Sequence, residues 1–358
     1  MSTPGDMLRL ARQRLGFTQK AASARLGIAQ PVLSRLENGP AEPDDALLHK
    51  AAHVYNLPRA FFDLRDPVYG PPVSVHPMLR AKADITARDL DMVTSEMNLR
   101  VMQVRRFLDA VDYAPTSDLP SLEVEEYGSA ARIAGVVRAH WGLPSGPIKN
   151  LVGLVERSGV IVGTSEFSGA SISGMTFRVP GQPPLVLLNR RHPADRMRFT
   201  LAHELGHLVM HRLPSPEMED EANAFASALL MPEREMREAF ASRRITLELL
   251  AALKPEWRVA MQALLMRAKG LGYLSDNQNR YLWQQISARG WRLKEPSELD
   301  FAHEQPTVLN SIIKAHLSDL GFTLSDLTGL VPLHEPEFMQ MYDLEDDAPA
   351  KSKLRLVV

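Results

Sequence analysis

Apolar residues recur at helical spacing through the first part of the chain and are interrupted by short turns. The first stripe ends at Gly16 and consists of Met7, Leu8, Leu10, Ala11 and Leu15. Thr18 is placed as the N-cap of a second helix, residues 19–26, which stops at Gly27. A third helix spans residues 30–37, and a fourth spans residues 44–55. The pattern predicts a small all-α domain over residues 1–66, in which the second and third helices form a helix-turn-helix.

A proline-rich stretch interrupts this pattern after residue 66. Residues 66–77 contain four prolines and one glycine, which predicts an extended, semi-rigid connector. From the expected N-cap Thr86, an amphipathic helix runs to about residue 111, and its apolar side consists of Leu90, Val93, Met97, Val101, Val104 and Leu108. Residues 67–119 are therefore assigned as linker and connecting helix. The apolar side can pack in a core or against a second copy of the chain, so a homodimer formed through this region or through the first domain stays open.

Residues 120–245 combine helical stripes with short apolar strands. Helices are predicted at 120–141 and 148–158, and strands at 160–163, 171–179 and 184–189. A long and almost wholly apolar helix follows at 198–211. This order predicts a central α+β domain in which the long helix packs on a small sheet. The strand at 171–179, rich in small residues, is expected at an exposed edge, where it either ends the sheet or aligns an extended peptide.

Residues 246–358 are predicted to be mostly helical. Amphipathic helices are expected at 255–269, 275–288, 307–320 and 324–330. Residues 345–353 are expected to form a flexible tail. The last five residues, 354–358, alternate like a strand that would pair with an exposed sheet edge.

The apolar helix at 198–211 carries the strongest chemical signal in the chain. His203 and His207 are four residues apart, so both imidazoles lie on one face and can bind one metal ion. Glu204 lies about 100° around the helix, near enough to act as a base on a water held there. The alternative is a helix with two partly buried, hydrogen-bonded histidines. The apolar flanks favour the metal site, because buried polar groups need partners.

Acidic residues that follow this helix offer a third ligand. The candidates, which spacing alone does not separate, are Glu217, Glu219, Asp220 and Glu221. Two imidazoles and one carboxylate suit Zn²⁺ well, with Mn²⁺ as the alternative metal. His211 lies one turn beyond His207 and is expected to cap the helix end rather than to be a fourth ligand. The spacing assigns no role to His192.

Composition narrows the remaining options. The 358 residues suffice for two or three domains. The net charge of −2 gives no global attraction to nucleic acid, but residues 1–40 hold six basic residues against two acidic ones. The absence of cysteine excludes disulfides and thiolate metal sites. There is no signal-peptide core and no apolar run of about 18 residues, so a cytoplasmic protein without a membrane partner is expected.

Residues 18–39 closely resemble the helix-turn-helix of Xre/Cro-type repressors, which implies a double-stranded DNA operator as partner. In that family the second helix of the pair lies in the major groove. By position, the implied DNA contacts are Gln30, Pro31, Ser34 and Arg35 on bases and Gln19 and Asn38 on phosphates. Pro31 replaces the usual polar residue, so specificity is expected to rest on Gln30 and Arg35. Arg12 and Glu37 match a pair that the family often uses as an internal salt bridge.

Roughly residues 120–270 resemble the ImmA/IrrE family of metallopeptidases. The resemblance rests on RFTLAHELGH at 198–207, EANAFA at 221–226 and LLMP at 229–232. In that family both histidines and a glutamate on the next helix bind zinc, and the HExxH glutamate is the base. For this chain, the resemblance implies a zincin-like domain with His203, His207 and Glu221 as ligands and Glu204 as catalytic base.

Two functions from different classes are compatible with these features. The first is a DNA-binding transcriptional regulator with a zinc endopeptidase that cleaves a specific regulatory protein. The resemblance suggests a repressor-type substrate. Because the endopeptidase is fused to a DNA-binding domain of the repressor type, the chain itself is another candidate substrate. The second is a DNA-binding repressor or antitoxin-like regulator whose metal site is structural or sensory. The intact Glu204 favours the first, because a structural site needs no base. A protease that awaits a signal would resemble the second in assays.

Overall fold

The computed structural model describes residues 2–39, 41–71, 86–111, 113–167, 172–241 and 243–344. The chain divides into two compact units, and each is considered by itself. The first unit comprises Met1–Val68, Asn98–Asp112 and Leu309–Val358, and the second comprises Tyr69–Met97 and Tyr113–Val308. The predicted tail at 345–353 and the predicted strand at 354–358 lie outside the described residues, as do residues 72–77 of the proline-rich connector.

The N-terminal helices of the first unit have the bounds that the sequence pattern predicts to within a few residues. They are α1 (Pro4–Arg14), α2 (Gln19–Leu26), α3 (Gln30–Glu37) and α4 (Asp45–Tyr55). The Thr18 hydroxyl accepts a hydrogen bond from the Ala21 amide at the start of α2. Gly27 ends α2 with a φ of 65°, which glycine adopts at little cost. The predicted helix-turn-helix, α2 with α3, is therefore present.

A buried ion pair ties α1 to α3. The Arg12 guanidinium donates two hydrogen bonds to the Glu37 carboxylate, over 2.6 and 2.8 Å, and the Glu37 side chain is fully buried. Gln19 also donates to Glu37 over 2.9 Å. Paired and hydrogen-bonded charges are the form in which ions are tolerated in a core. The predicted internal salt bridge is confirmed.

The long helix α5 (Ala87–Leu108) starts one residue after its N-cap Thr86, as predicted. Its apolar side is buried within a single chain: Val93, Met97 and Val104 are each at most 2% exposed. Core packing therefore accounts for these positions of the stripe. The homodimer remains untested.

The last described helices belong with the helix-turn-helix unit, whereas the sequence pattern predicts one C-terminal region over residues 246–358. They are α15 (Val308–Ser318), α16 (Leu324–Leu330) and α17 (Glu335–Met341), the last of which was not predicted. Phe107 of α5 packs edge-on against Phe338 with ring centroids 6.2 Å apart, and Arg14 forms an ion pair with Glu337. Such contacts join residues more than 200 positions apart, so local patterns do not reveal them.

The second unit combines helices with a small three-stranded sheet. The described strands are β1 (Ile161–Ser165), β2 (Gly174–Phe177) and β3 (Leu185–Asn189), in the order β1-β3-β2. β1 runs parallel to β3 with Ile161 opposite Leu185, and β2 runs antiparallel to it with Gly174 opposite Leu188. Three helices precede the sheet: α6 (Val124–Tyr127), α7 (Ala130–His140) and α8 (Leu151–Arg157). The predicted single helix at 120–141 is wrong, because Gly128 turns the chain with a φ of 77°.

Six helices follow the sheet. They are α9 (Ala194–Met210), α10 (Met218–Leu230), α11 (Glu233–Phe240), α12 (Leu247–Trp257), α13 (Met261–Gly270) and α14 (Asp276–Ala288). The predicted helix at 255–269 is in fact two helices, which separate where Arg258 takes a left-handed φ of 54°. No helix in the described ranges is both long and apolar enough to cross a membrane.

Helix α9 is the centre of this unit, and a glycine sets its distance to α10. A Cβ atom on Gly206 would lie 3.3 Å from the Ala222 Cα and 3.1 Å from the Phe225 ring. Glycine therefore permits a backbone approach that a larger residue would prevent. Two buried ion pairs, Lys254 with Asp195 and Arg198 with Glu304, fix the first turns of α9 from other parts of the unit. The close approach brings side chains of α10 over the HExxH face.

Candidate metal centre and DNA-binding surface

The two histidines of α9 point their ring nitrogens at one place. The Nε2 atoms of His203 and His207 lie 3.0 Å apart, and the two side chains are 9% and 5% exposed. Their four-residue spacing on a straight helix produces this convergence. Each ring is also held at Nδ1, as described below. The structure therefore brings the two ring nitrogens together, as a shared ligand position requires.

Glu219, and not Glu221, is the acid that joins them. Glu219 Oε1 lies 3.2 Å from His207 Nε2, and Oε2 lies 3.6 Å from His203 Nε2. The group formed by His203, His207 and Glu219 has ligand atoms within 4.8 Å of one another. Residues 219 and 221 are about 200° apart around a helix, so only one of them faces α9 at this point. The expected ligand Glu221 is thus corrected to Glu219, while Glu217 and Asp220 are exposed at the start of α10.

The donor set fits a zinc ion. At bond lengths of about 2.0–2.1 Å, the ligand atoms of a tetrahedral zinc site lie about 3.3 Å apart. The 3.0 Å between the two Nε2 atoms, and the 3.2 and 3.6 Å from them to the two Glu219 oxygens, lie close to that value. Burial raises the pKa of the Glu219 carboxyl, but the two facing imidazoles outweigh it and bring the pKa to about 2. The carboxylate is therefore ionised and ready to bind a cation.

Glu204 lies beside this cluster and is oriented by the sheet. Its side chain is buried, at 2% exposure for the residue, and Oε2 accepts a hydrogen bond of 2.6 Å from the Thr176 hydroxyl. Thr176 belongs to β2, the strand at one end of the sheet order. Sequence reasoning missed Thr176, because only the packing of β2 on α9 brings the two residues together. A buried carboxylate with one oxygen held in place is suited to take a proton at the other.

The Nδ1 atoms of His203 and His207, which face away from the shared ligand position, have hydrogen-bonding partners of different kinds. His203 Nδ1 lies 3.1 Å from Asn223 Oδ1, one turn after Glu219 on α10. His207 Nδ1 lies 2.9 Å from His211 Nδ1, and His211 Nε2 lies 3.1 Å from Glu221 Oε2. His211 is the C-cap residue of α9 by its backbone, as expected, but its side chain takes neither the predicted role of a cap nor that of a ligand. Burial lowers the pKa of the His211 imidazole to about 4, so this ring is neutral.

A cavity of about 850 Å³ opens over the cluster. Its floor includes His203, Glu204 and Glu219, and Gly174 of β2 forms part of its wall. His192, to which the sequence assigned no role, lines it as well. The segment from Arg292 to Glu295 closes another side and is held there by a 2.9 Å ion pair between Glu295 and the buried Lys254. A cavity of this size accommodates several residues of an extended peptide.

The DNA-binding residues predicted from the helix-turn-helix pattern are gathered on one pair of helices. Gln30, Pro31, Arg35 and Asn38 are exposed, while Gln19 and Ser34 are half-buried. The Gln30 amide donates to Gln19 Oε1 over 2.8 Å, so the two glutamines are pre-positioned at the meeting of α2 and α3. Two further exposed basic residues, Lys20 and Arg25, lie on α2. This helix pair therefore carries exposed cations and amides, the kinds of group that contact phosphates and bases.

Comparison with known families agrees with this division of the chain. Residues 8–62 match the sequence model of the HTH_3 family, described as helix-turn-helix. Residues 155–269 match that of the Peptidase_M78 family, described as the IrrE N-terminal-like domain. A comparison with curated proteins gave no match. The chain therefore joins a helix-turn-helix domain to an IrrE-like domain, the fusion predicted from its motifs.

Proposed function

We propose that this chain, which joins a helix-turn-helix domain to an IrrE N-terminal-like domain, is a DNA-binding regulator and a zinc-dependent endopeptidase that cleaves a specific regulatory protein. The observation that carries the proposal is the convergence of His203, His207 and Glu219 around one point, with Glu204 beside them. A structural zinc site needs ligands only. The buried carboxylate at Glu204, oriented by Thr176 and facing a cavity, is the additional feature of a hydrolase.

His203, His207 and Glu219 would hold the zinc ion, with Mn²⁺ as the alternative metal. Zinc bound by such a set supplies Lewis acidity, which polarises a peptide carbonyl and lowers the pKa of a nearby water. Glu204 takes a proton from the attacking water at Oε1, because Thr176 occupies Oε2. Glu204 then delivers that proton to the leaving amine nitrogen. The outer contact of Asn223 with His203 keeps that imidazole in the orientation that Nε2 ligation requires.

The substrate would lie as an extended segment along β2. This strand stands at the end of the sheet order, and its first residue, Gly174, lines the cavity. An extended peptide adds to a sheet edge through main-chain hydrogen bonds, which would bring its carbonyl groups past Glu204. A repressor-type regulator is the proposed substrate, and a segment of this chain itself is the second candidate.

Metal removal tests the peptidase proposal. Purified protein is analysed for bound metal. It is then incubated with regulatory proteins encoded beside its own gene, once as prepared and once after dialysis against a chelator. We expect one regulator, or the chain itself, to be cut at a defined bond, and we expect cleavage to stop without metal and to return on addition of Zn²⁺. Bound metal without cleavage of any partner would instead leave a regulator whose metal site is structural or sensory.

Operator binding tests the other half of the proposal. Arg35 is exposed on α3 at the position where the family resemblance places base contacts. Arg35→Ala should weaken operator binding by about 1–3 kcal/mol and relax the sequence preference at one base pair, because a good arginine–guanine contact contributes that much discrimination. Arg9→Ala is the matched control, since Arg9 is bonded to Asp6 within α1. Titrations of labelled operator and of sequence variants at fixed salt would measure both effects; equal losses for the two variants would argue against base reading by α3.

A further inference from the structure

Two side chains outside the ligand set form a hydrogen-bonded chain that ends on His207. His207 Nδ1 lies 2.9 Å from His211 Nδ1, and His211 Nε2 lies 3.1 Å from Glu221 Oε2. The His211 side chain is 6% exposed, and the Glu221 side chain is partly exposed, at 26%. The backbone amide of His211 bonds to the carbonyl of His207 over 3.0 Å, which fixes where the second ring begins. The hydrogen-bonded series therefore starts in the C-terminal turn of α9 and ends on α10.

Only one placement of the ring hydrogens makes every contact a hydrogen bond once His207 binds metal through Nε2. The His207 hydrogen is then on Nδ1 and donates to His211 Nδ1, which must carry a lone pair. With its lone pair on Nδ1, the His211 ring carries its hydrogen on Nε2, where that hydrogen donates to Glu221 Oε2. Three groups thus alternate donor and acceptor without conflict, and a carboxylate ends the series.

The two ligand histidines are supported unequally. His203 has a neutral amide oxygen, that of Asn223, at its outer nitrogen. His207 has a ring nitrogen that is itself polarised by a carboxylate. An acceptor at the outer nitrogen fixes the tautomer of a ligand histidine and raises the basicity of the metal-binding nitrogen, and a charged end strengthens both effects.

We propose that His211 and Glu221 act as a pair of positioning residues that hold His207 in its metal-binding tautomer and orientation. The proposal rests on the zinc site proposed above and assigns to Glu221 a role other than that of ligand. It explains why α10 presents acids on two different faces: Glu219 reaches the histidines directly, and Glu221 reaches them through His211.

Zinc affinity of the full-length protein measures the effect without any protease assay. His211→Leu should raise the zinc dissociation constant by about 10- to 100-fold, the usual cost of losing an outer partner of a ligand histidine. His211→Gln keeps an acceptor and a donor and should restore most of the affinity. Glu221→Gln should give a smaller loss than His211→Leu. Asp220→Asn, an exposed neighbour with the same change of charge, should bind zinc like the native chain.

A spectroscopic readout separates positioning from general damage to the fold. In the zinc-loaded native protein, nitrogen-detected NMR of the imidazoles should show His207 with its hydrogen on Nδ1 and His211 with its hydrogen on Nε2. In His211→Leu the His207 Nδ1 hydrogen should lose its hydrogen-bonded shift, while in His211→Gln it should keep it. If His211→Leu fails to fold, the comparison of Glu221→Gln with Asp220→Asn decides.

The outcomes distinguish this inference from the proposed function. A native chain that binds no zinc would overturn the metal site itself. A native chain that binds zinc tightly, with His211→Leu and Glu221→Gln binding equally well and an unchanged His207 signal, would overturn the positioning role alone. A greater loss in Glu221→Gln than in Glu219→Gln would make Glu221 a direct ligand and would equally refute the inference.

Discussion

Glu204→Gln is expected to retain zinc and to lose proteolysis by about 10²- to 10⁴-fold, the contribution that a positioned general base makes to such a reaction. Glutamine has nearly the same shape as glutamate, and its carbonyl oxygen can still accept the 2.6 Å hydrogen bond from Thr176. The ligand residues His203, His207 and Glu219 are untouched. The variant therefore removes proton transfer and little else.

The measurement compares initial cleavage rates and zinc content of the native and variant chains on the same substrate. Operator binding provides the internal control, because the substitution lies in the IrrE-like domain and the DNA surface lies in the helix-turn-helix. Cleavage by the variant at the native rate would place the base elsewhere. Loss of zinc together with activity would show that Glu204 has a structural part in the site.

Local signals in the sequence were sufficient for the helix-turn-helix. The Thr18 N-cap fixes the start of α2, and the left-handed Gly27 fixes its end. The structure has the predicted bounds for α2 and α3. Helix capping and glycine conformation depend on residues that are neighbours in sequence, so they can be predicted from one sequence alone. The same reasoning placed His203 and His207 on one face of α9.

The third ligand could not be predicted this way, because it depends on the rotation of one helix against another. Four acids precede the Ala-Asn motif, and which of them faces α9 is decided by the contact between Gly206 and the Ala222–Phe225 stretch. The motif position suggested Glu221, whereas packing selects Glu219. One sequence signal favours Glu219: it lies four residues before Asn223, so the two share a helix face. In the structure both side chains contact His203.

Nonlocal packing also explains the division of the C-terminal region. Residues from Leu309 onward join the helix-turn-helix unit, while the preceding segment stays with the IrrE-like unit. Within the IrrE-like unit, the buried Glu156 carboxylate accepts hydrogen bonds from the Thr307 and Val308 amides, over 3.0 Å each, and so holds the last residues of that segment in place. Glu156 lies far earlier in the chain, so the local sequence contains no trace of these contacts.

Glu219→Gln should abolish tight zinc binding, with a rise in the dissociation constant of more than about 100-fold, because loss of a ligand exceeds the 10- to 100-fold cost of losing an outer contact. The substitution removes the negative charge that faces both imidazoles at 3.2 and 3.6 Å. Asp220→Asn is the matched control: it is the next residue, it loses the same charge, and it is exposed. Glu221→Gln should fall between the two.

Thermal unfolding with and without zinc gives an independent measure of the same ranking. At a free zinc concentration of about 100 times the native dissociation constant, bound metal stabilises a protein by about 2.7 kcal/mol. A 100-fold weaker site reduces this gain to about 0.4 kcal/mol, so the zinc-dependent shift in melting temperature should nearly vanish in Glu219→Gln and persist in Asp220→Asn. A full zinc-dependent shift in Glu219→Gln, with its loss in Glu221→Gln, would return the third ligand to Glu221 and would mean that α10 is rotated about its axis from the position described.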